Sequence, residues 1–103
     1  MKKTLILAAA LTMAPAAALA DDGEALAQKN GCLACHAVDK KVVGPSYKEV
    51  AAKYRTDKDA QARLEKKVKA GGQGVWGQIP MPPNGAVSDA DVKTLVKWIL
   101  SLK

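Results

Sequence analysis

The 103-residue chain has little with which to build an ordinary core: it contains no phenylalanine, two tryptophans and two tyrosines. It also has a single histidine, His36, and only two cysteines, Cys32 and Cys35. A structural zinc site needs about four cysteine or histidine ligands, so this inventory argues against one. No stretch alternates polar and apolar residues with a period of two, and no internal repeat is found. A sheet or a repeat fold is therefore not expected.

The first twenty residues have the pattern of an export leader. Lys2 and Lys3 give a positive start, an apolar stretch follows, and Ala18-Leu19-Ala20 offers small residues for a signal peptidase. The pattern predicts a signal peptide over 1–20 that is cleaved, and one domain over 21–103. The apolar stretch is too short and too broken for a stable membrane anchor. A domain of this size usually needs a disulfide, a metal or a large buried cofactor for stability.

Helical periodicity and stop signals predict an all-α domain with about four helices. We expect the helices over 24–30, 47–54, 59–70 and the last stretch from the Ser88 cap to residue 102. Gly31 should end the first helix in the left-handed conformation, and Gly71 with Gly72 should end the third. The last helix has the clearest apolar stripe.

The segment Cys32-Leu33-Ala34-Cys35-His36 is the c-type haem attachment pentapeptide. The two cysteines can reach both vinyl groups of one porphyrin as thioethers, and His36 then faces the iron as an axial ligand. Two other interpretations rank lower. A thioredoxin-like redox pair would be expected beside a strand and a helix, and a local disulfide would leave His36 without a role.

The sixth iron ligand is predicted from what else the chain contains. Electron-carrying haem is usually completed by methionine or a second histidine, and Met81 is the only methionine after the predicted leader. It lies between Pro80 and Pro82, which stiffen the backbone. Filling a gap in the core is the alternative role for this side chain. With both axial positions taken by protein, the iron would have no open site for oxygen or peroxide chemistry.

At this point the chain resembles the class I cytochromes c, specifically the short periplasmic electron carriers of Gram-negative bacteria. The resemblance covers essentially all of residues 21–103. It rests on five segments in combination, namely Gly31-Cys-x-x-Cys-His36, Val43-Gly-Pro45, Gly74-Val-Trp-Gly77, Pro80-Met-Pro-Pro-Asn84 and Lys97-Trp-Ile-Leu100.

The resemblance implies further roles around the haem. The carbonyl of Pro45 would accept the Nδ1 proton of His36 and fix its ring. Trp76 would donate to a haem propionate, Lys67 stands where a basic propionate partner is often found, and Asn84 would orient the Met81 sulfur. Trp98, by contrast, is interpreted as a packing contact between the first and last helices.

The resulting hypothesis is a cytochrome c fold of about four helices around one covalently bound haem c, in which the resemblance implies that the first and last helices cross. The haem would exchange single electrons, and the protein would catalyse no reaction of its own. The chain would work in the periplasm as a monomer between an electron donor and an acceptor that dock at the exposed haem edge. Because its modest positive charge is spread out, nucleic acid is not expected as a partner. Stable membrane insertion is not expected either, because the only long apolar stretch belongs to the predicted leader. The alternatives are a five-coordinate haem enzyme or gas-binding cytochrome, and a subunit of a larger reductase or oxidase.

Overall fold

The computed structural model describes residues 16–103 of the protein, with side chains from Asp22 onward, and this part is all-α. No strand occurs in it, only two isolated bridges that join His36 to Lys41 and Gly72 to Met81. None of the helices in this range is long and apolar enough to span a bilayer. The elements in chain order are α1 (Ala16–Lys29), a 3₁₀ helix (Cys32–Ala34), α2 (Tyr47–Tyr54), α3 (Ala60–Ala70) and α4 (Asp89–Ser101). The prediction of an all-α domain of about four helices is confirmed.

Helix α1 is longer than predicted, because it begins at Ala16 and not at residue 24. Residues 16–20 are all alanine or leucine, which are strong helix formers. The helix ends as predicted: the Asn30 amide donates to the Leu26 carbonyl at 3.0 Å, and Gly31 has a φ of 74°. The predicted leader falls mostly on residues 1–15, which lie outside the described part, so its cleavage stays a prediction.

Helices α2 and α3 begin and end within one residue of their predicted bounds. The hydroxyl of Ser46 accepts the Glu49 amide at 3.1 Å, which satisfies one of the free N–H groups at the start of α2. Helix α3 ends at Gly71, which has a φ of 72° and donates its amide to the Lys67 carbonyl at 2.8 Å. A residue with a side chain is strained at that φ, so glycine sets the end of α3.

Helix α4 carries the main apolar face of the domain. Its N-cap is Ser88, whose hydroxyl accepts the Asp91 amide at 3.2 Å, as the sequence predicted. The buried residues of its stripe are Val92, Leu95, Val96, Trp98 and Ile99. They form two clusters, one with Ala27, Tyr47 and Val50 and one with Val68 and Val87. Helix α4 therefore packs against each of the other three helices.

The crossing of α1 and α4 depends on a glycine. Trp98 is only 3% exposed, and a Cβ built on Gly23 would overlap its Cβ and Cγ atoms. The absence of a side chain at Gly23 thus allows the two helices to approach closely. This confirms that the first and last helices cross and that Trp98 packs between them.

We expect Gly23→Ala to destabilise the holoprotein by about 1–3 kcal/mol, the usual effect of overfilling a packed core. At an exposed helix position, replacing glycine by alanine would stabilise the protein by up to about 1 kcal/mol. A loss of stability would therefore show that residue 23 packs closely against Trp98. Denaturant unfolding followed by circular dichroism measures it. The neighbouring exposed change Glu24→Ala is the control and should stay within about 0.5 kcal/mol of the wild type. A more stable Gly23→Ala protein would contradict the close crossing.

Candidate haem site

One cavity of about 600 Å³ opens beside the Cys-x-x-Cys-His segment and extends along both core clusters. Its walls come from the 3₁₀ helix, α2, α3, α4 and the long connection between α3 and α4. All eight residues that the sequence singled out line it: Cys32, Cys35, His36, Pro45, Lys67, Trp76, Met81 and Asn84. The fold therefore brings together residues that lie up to 52 positions apart in the sequence.

The two cysteines enter the cavity from the turn that follows α1. Gly31 has a positive φ and precedes the 3₁₀ helix, which begins at Cys32 and is followed directly by Cys35. Both side chains are partly buried, and they do not form a disulfide with each other. Before haem is attached, burial raises the pKa of the Cys32 thiol above its ordinary value.

The His36 ring is held on more than one side. Its Nδ1 lies 2.7 Å from the carbonyl oxygen of Pro45, so Nδ1 donates and Nε2 keeps its lone pair for a metal. The ring also stacks on Tyr47, with 5.0 Å between centroids and 19° between planes. The loop that connects His36 to Tyr47 is closed by a hydrogen bond from the Gly44 amide to the Cys35 carbonyl at 2.7 Å.

Gly44 leaves no room for a side chain beside this ring. A Cβ there would lie 2.6 Å from Cε1 and 3.0 Å from Nδ1 of His36. We therefore expect Gly44→Ala to displace the ring and to destabilise the holoprotein by about 1–3 kcal/mol, measured by denaturant unfolding. Gly85→Ala is the matched control, because a Cβ there meets nothing within 4 Å. Equal stability of the two variants would count against the contact.

Met81 is positioned by the backbone on which it sits. Its amide donates to the Gly72 carbonyl at 2.7 Å, and its carbonyl accepts the Gly72 amide at 3.1 Å. This pair of bonds ties the proline-rich segment to the end of α3. The Met81 side chain packs against the cluster that contains Val68 and Val87. The thioether is thus supported by α3 on one side of the loop and by the core beneath it.

Asn84 makes contacts that the resemblance did not imply. Its amide nitrogen is 3.2 Å from the Val68 carbonyl and 3.2 Å from the Pro82 carbonyl, so both of its hydrogens have backbone acceptors. In this arrangement Asn84 fastens the loop to α3. The hydrogen bond to the Met81 sulfur stays a prediction.

Lys67 and Trp76 line the cavity on its α3 and loop side. The Lys67 ammonium lies against Gly72, where a Cβ would approach its Nζ to 2.5 Å. Trp76 lies in a turn closed by the Gly74 amide, which donates to the Gly77 carbonyl at 2.8 Å. It is 42% exposed, and the Lys53 ammonium is 5.5 Å from its ring centroid. Both residues line the cavity, and their contacts with the haem propionates remain predictions.

Three residues of the site were not among the sequence candidates. The sequence placed Tyr47 only within the predicted helix over 47–54 and Gly44 only within the segment Val43-Gly-Pro45, and it gave Lys53 no role. Nothing in their spacing marks them, because each acts through a contact that forms only when the Pro45 turn and the 74–77 turn fold back onto α2. The pattern Gly44-Pro45 beside a haem motif is the one signal that could have pointed to Gly44.

The lining residues fit a covalently bound haem. Two thiols, an imidazole with Nε2 free and a thioether face one large cavity whose walls include Val50, Val68 and Ile99. In the described range, no three His, Cys, Asp or Glu side chains are grouped as ligands for a bare metal ion. A flat apolar macrocycle with one iron uses every donor present, whereas a zinc ion would lack ligands.

Comparison with known proteins agrees with this geometry. The profile of the family described as cytochrome c matches residues 20–103. Cytochrome c-551 of Allochromatium vinosum is 61% identical over 93 residues, which are 90% of this chain and 96% of the relative. Cytochrome c-551 of Pseudomonas aeruginosa is 54% identical over 99 residues, or 96% of this chain and 94% of the relative.

A solved structure shares the same fold. The crystal structure of wild-type Nitrosomonas europaea cytochrome c552 superposes with a TM-score of 0.76 and 60% identity, covering 78% of this chain and 99% of that one. The family match therefore spans residues 20–103, and the structural match covers most of the chain. The chain belongs to the cytochrome c family and binds one haem c covalently.

Proposed function

We propose that this chain is a periplasmic monohaem electron carrier, with His36 and Met81 as the two axial ligands and no catalytic step of its own. The observation that carries the proposal is the joint arrangement of the two donors. The Nε2 of His36 is kept free by the bond from Nδ1 to Pro45, and the thioether of Met81 is backed by the bridge to Gly72. Both line the same cavity.

Each residue has a simple task in this proposal. Cys32 and Cys35 hold the haem in place as thioethers, which matters in a domain too small to enclose it fully. His36 donates to the iron and is kept in orientation by Pro45. Met81 supplies a soft sulfur that favours the reduced state. The haem itself supplies the one-electron couple between Fe(II) and Fe(III).

The five-coordinate alternatives fit the site less well. An iron with an open position would require the Met81 side chain to lie outside the cavity. The Met81 amide and carbonyl are, however, both hydrogen-bonded to Gly72, and the Met81 side chain packs on the core. Oxygen, peroxide or nitric oxide would then have to displace a preorganised ligand. The carrier function needs no such displacement, because electron transfer changes no bond.

The mouth of the cavity suggests how a partner would dock. Val42, Val43 and Ile79 are exposed there, and Ile79 is 67% exposed. Lys40 and Lys41 adjoin them and are exposed as well. An apolar patch beside lysines favours a brief contact with an acidic redox protein. Because Lys2 and Lys3 belong to the predicted leader, the formal charge of +6 falls to +4 in the mature chain, which keeps the same sign.

Electron exchange with an external partner tests the proposal. The reduced holoprotein should be oxidised by ferricyanide or a blue copper protein in a single second-order phase, with one electron transferred per chain. Carbon monoxide, added to the reduced protein at neutral pH, should not bind rapidly. Rapid binding of carbon monoxide together with peroxidase turnover would favour the enzyme alternative.

Export should be needed for maturation. Deleting residues 2–20 is expected to abolish haem-loaded protein in cells that attach haem only outside the cytoplasm, and replacing them with a different cleavable leader should restore it. Haem staining of cell fractions, with an N-terminal sequence expected to begin at Asp21, measures both. Haem-loaded protein from the leaderless chain in such cells would contradict the periplasmic assignment.

A further inference from the structure

Lys69, in the last turn of α3, connects the end of this helix to the chain just before α4. Its ammonium donates to the carbonyl of Val87, and it lies 3.4 Å from the carbonyl of Gly85 and 3.1 Å from a carboxylate oxygen of Asp89. The Lys69 side chain is 32% exposed, whereas that of Asp89 is 94% exposed. The exposed ion pair contributes little. The bonds to the two carbonyls are therefore the main part of this contact.

The two carbonyls belong to the segment that carries Met81. Val87 is buried in the same cluster against which the Met81 side chain packs. Between Met81 and Val87, the backbone amide of Asn84 donates to the Val68 carbonyl at 3.0 Å and so holds the chain against α3. Met81 itself is bridged to Gly72. At residues 85–87, the hydrogen bonds from Lys69 hold the segment to α3.

We propose that Lys69 is a positioning residue that slows the departure of the Met81 sulfur from the haem iron. The inference rests on the proposed axial role of Met81. For the sulfur to leave, the segment after it must lift from the core beneath Val87. Lys69 opposes that movement, because lifting the segment breaks its hydrogen bonds to residues 85 and 87. Its removal should make the movement faster without changing the ligand itself.

Ligand exchange in the ferric holoprotein tests this role. At high imidazole concentration, the rate of imidazole binding should saturate at the rate with which Met81 leaves the iron. We expect Lys69→Met, which keeps the aliphatic stem and loses the donors, to raise that limiting rate by about tenfold, as the loss of one or two such hydrogen bonds implies. Lys69→Arg should restore most of the wild-type rate. Asp89→Asn should change it less than Lys69→Met does.

Lys66→Met is the matched control, because it removes the same charge from an exposed position on the same helix. The proposal is overturned if Lys69→Met exchanges no faster than Lys66→Met, or if its rate rises only in proportion to global unfolding followed by circular dichroism. A wild-type rate that rises linearly without saturating would reject axial ligation by Met81, and the role of Lys69 with it. A saturating wild type with an unchanged Lys69→Met would reject the role of Lys69 alone.

Discussion

Replacing either Cys32 or Cys35 by alanine is expected to lower the yield of mature haem protein by tenfold or more, and to leave no stably folded apoprotein. The reason lies in the cavity. Without haem, the apolar walls of a cavity of about 600 Å³ would face water, and the chain would lose the burial of those walls against the macrocycle. A small domain has only about 5–15 kcal/mol of stability with which to offset that loss.

The walls cannot simply collapse to remove this cost. They include side chains of both core clusters, so closing the cavity would separate α2 and α3 from α4. Haem staining of periplasmic extracts measures the yield, and thermal unfolding by circular dichroism measures the fold. Ala34→Ser, at the exposed position between the cysteines, is the control and should give a normal yield. A haem-free variant that unfolds cooperatively would show that the chain has a sufficient core without its cofactor.

Met81→His is expected to give a low-spin haem with a reduction potential lower by on the order of 0.1 V or more, within the roughly 0.8 V that axial ligands span. Imidazole is a stronger donor than a thioether and stabilises Fe(III), whereas sulfur favours Fe(II). Met81→Ala should instead open the iron to small ligands. Spectroelectrochemical titration gives the potentials, and imidazole binding reports the open site.

The oxidised wild type should also show the weak far-red charge-transfer band of methionine bound to ferric haem, and Met81→Ala should lack it. Ile79→Ala changes an exposed residue of the same loop and is expected to keep the band. If the band is absent from the wild type at neutral pH, or if it persists in Met81→Ala, another group occupies that position.

The sequence was sufficient for features that are local. Helix α2 was predicted over its full length, because Tyr47 and Val50 have helical spacing. The start of α4 followed from the Ser88 cap. The Cys-x-x-Cys-His segment is likewise a local pattern, and it identified the cofactor. The prediction of Met81 as the sixth ligand rests on composition, because the chain has no other methionine after the predicted leader and no second histidine.

The features that the sequence did not reveal depend on contacts between distant segments. The start of α1 was placed too late, at residue 24, because residues 1–20 were set aside as a leader. The alanine-rich residues 16–20 in fact continue the helix in the N-terminal direction. Nothing in the sequence indicated that the side-chain amide of Asn84 donates to the Val68 carbonyl at the end of α3. The stacking of Tyr47 on His36 needs the turn at Pro45 to fold back onto α2, and no periodicity encodes that turn.

The pyridine haemochrome spectrum of the purified mature protein tests the central claim most directly, because it reports the type, number and attachment of the haem together. The proposed carrier should contain one haem per chain, with the spectrum of a porphyrin whose two vinyl groups have become thioethers, and acidified acetone should not extract it. A chain that contains no haem, an extractable haem, or a haem with a free vinyl group would contradict the assignment of Cys32 and Cys35.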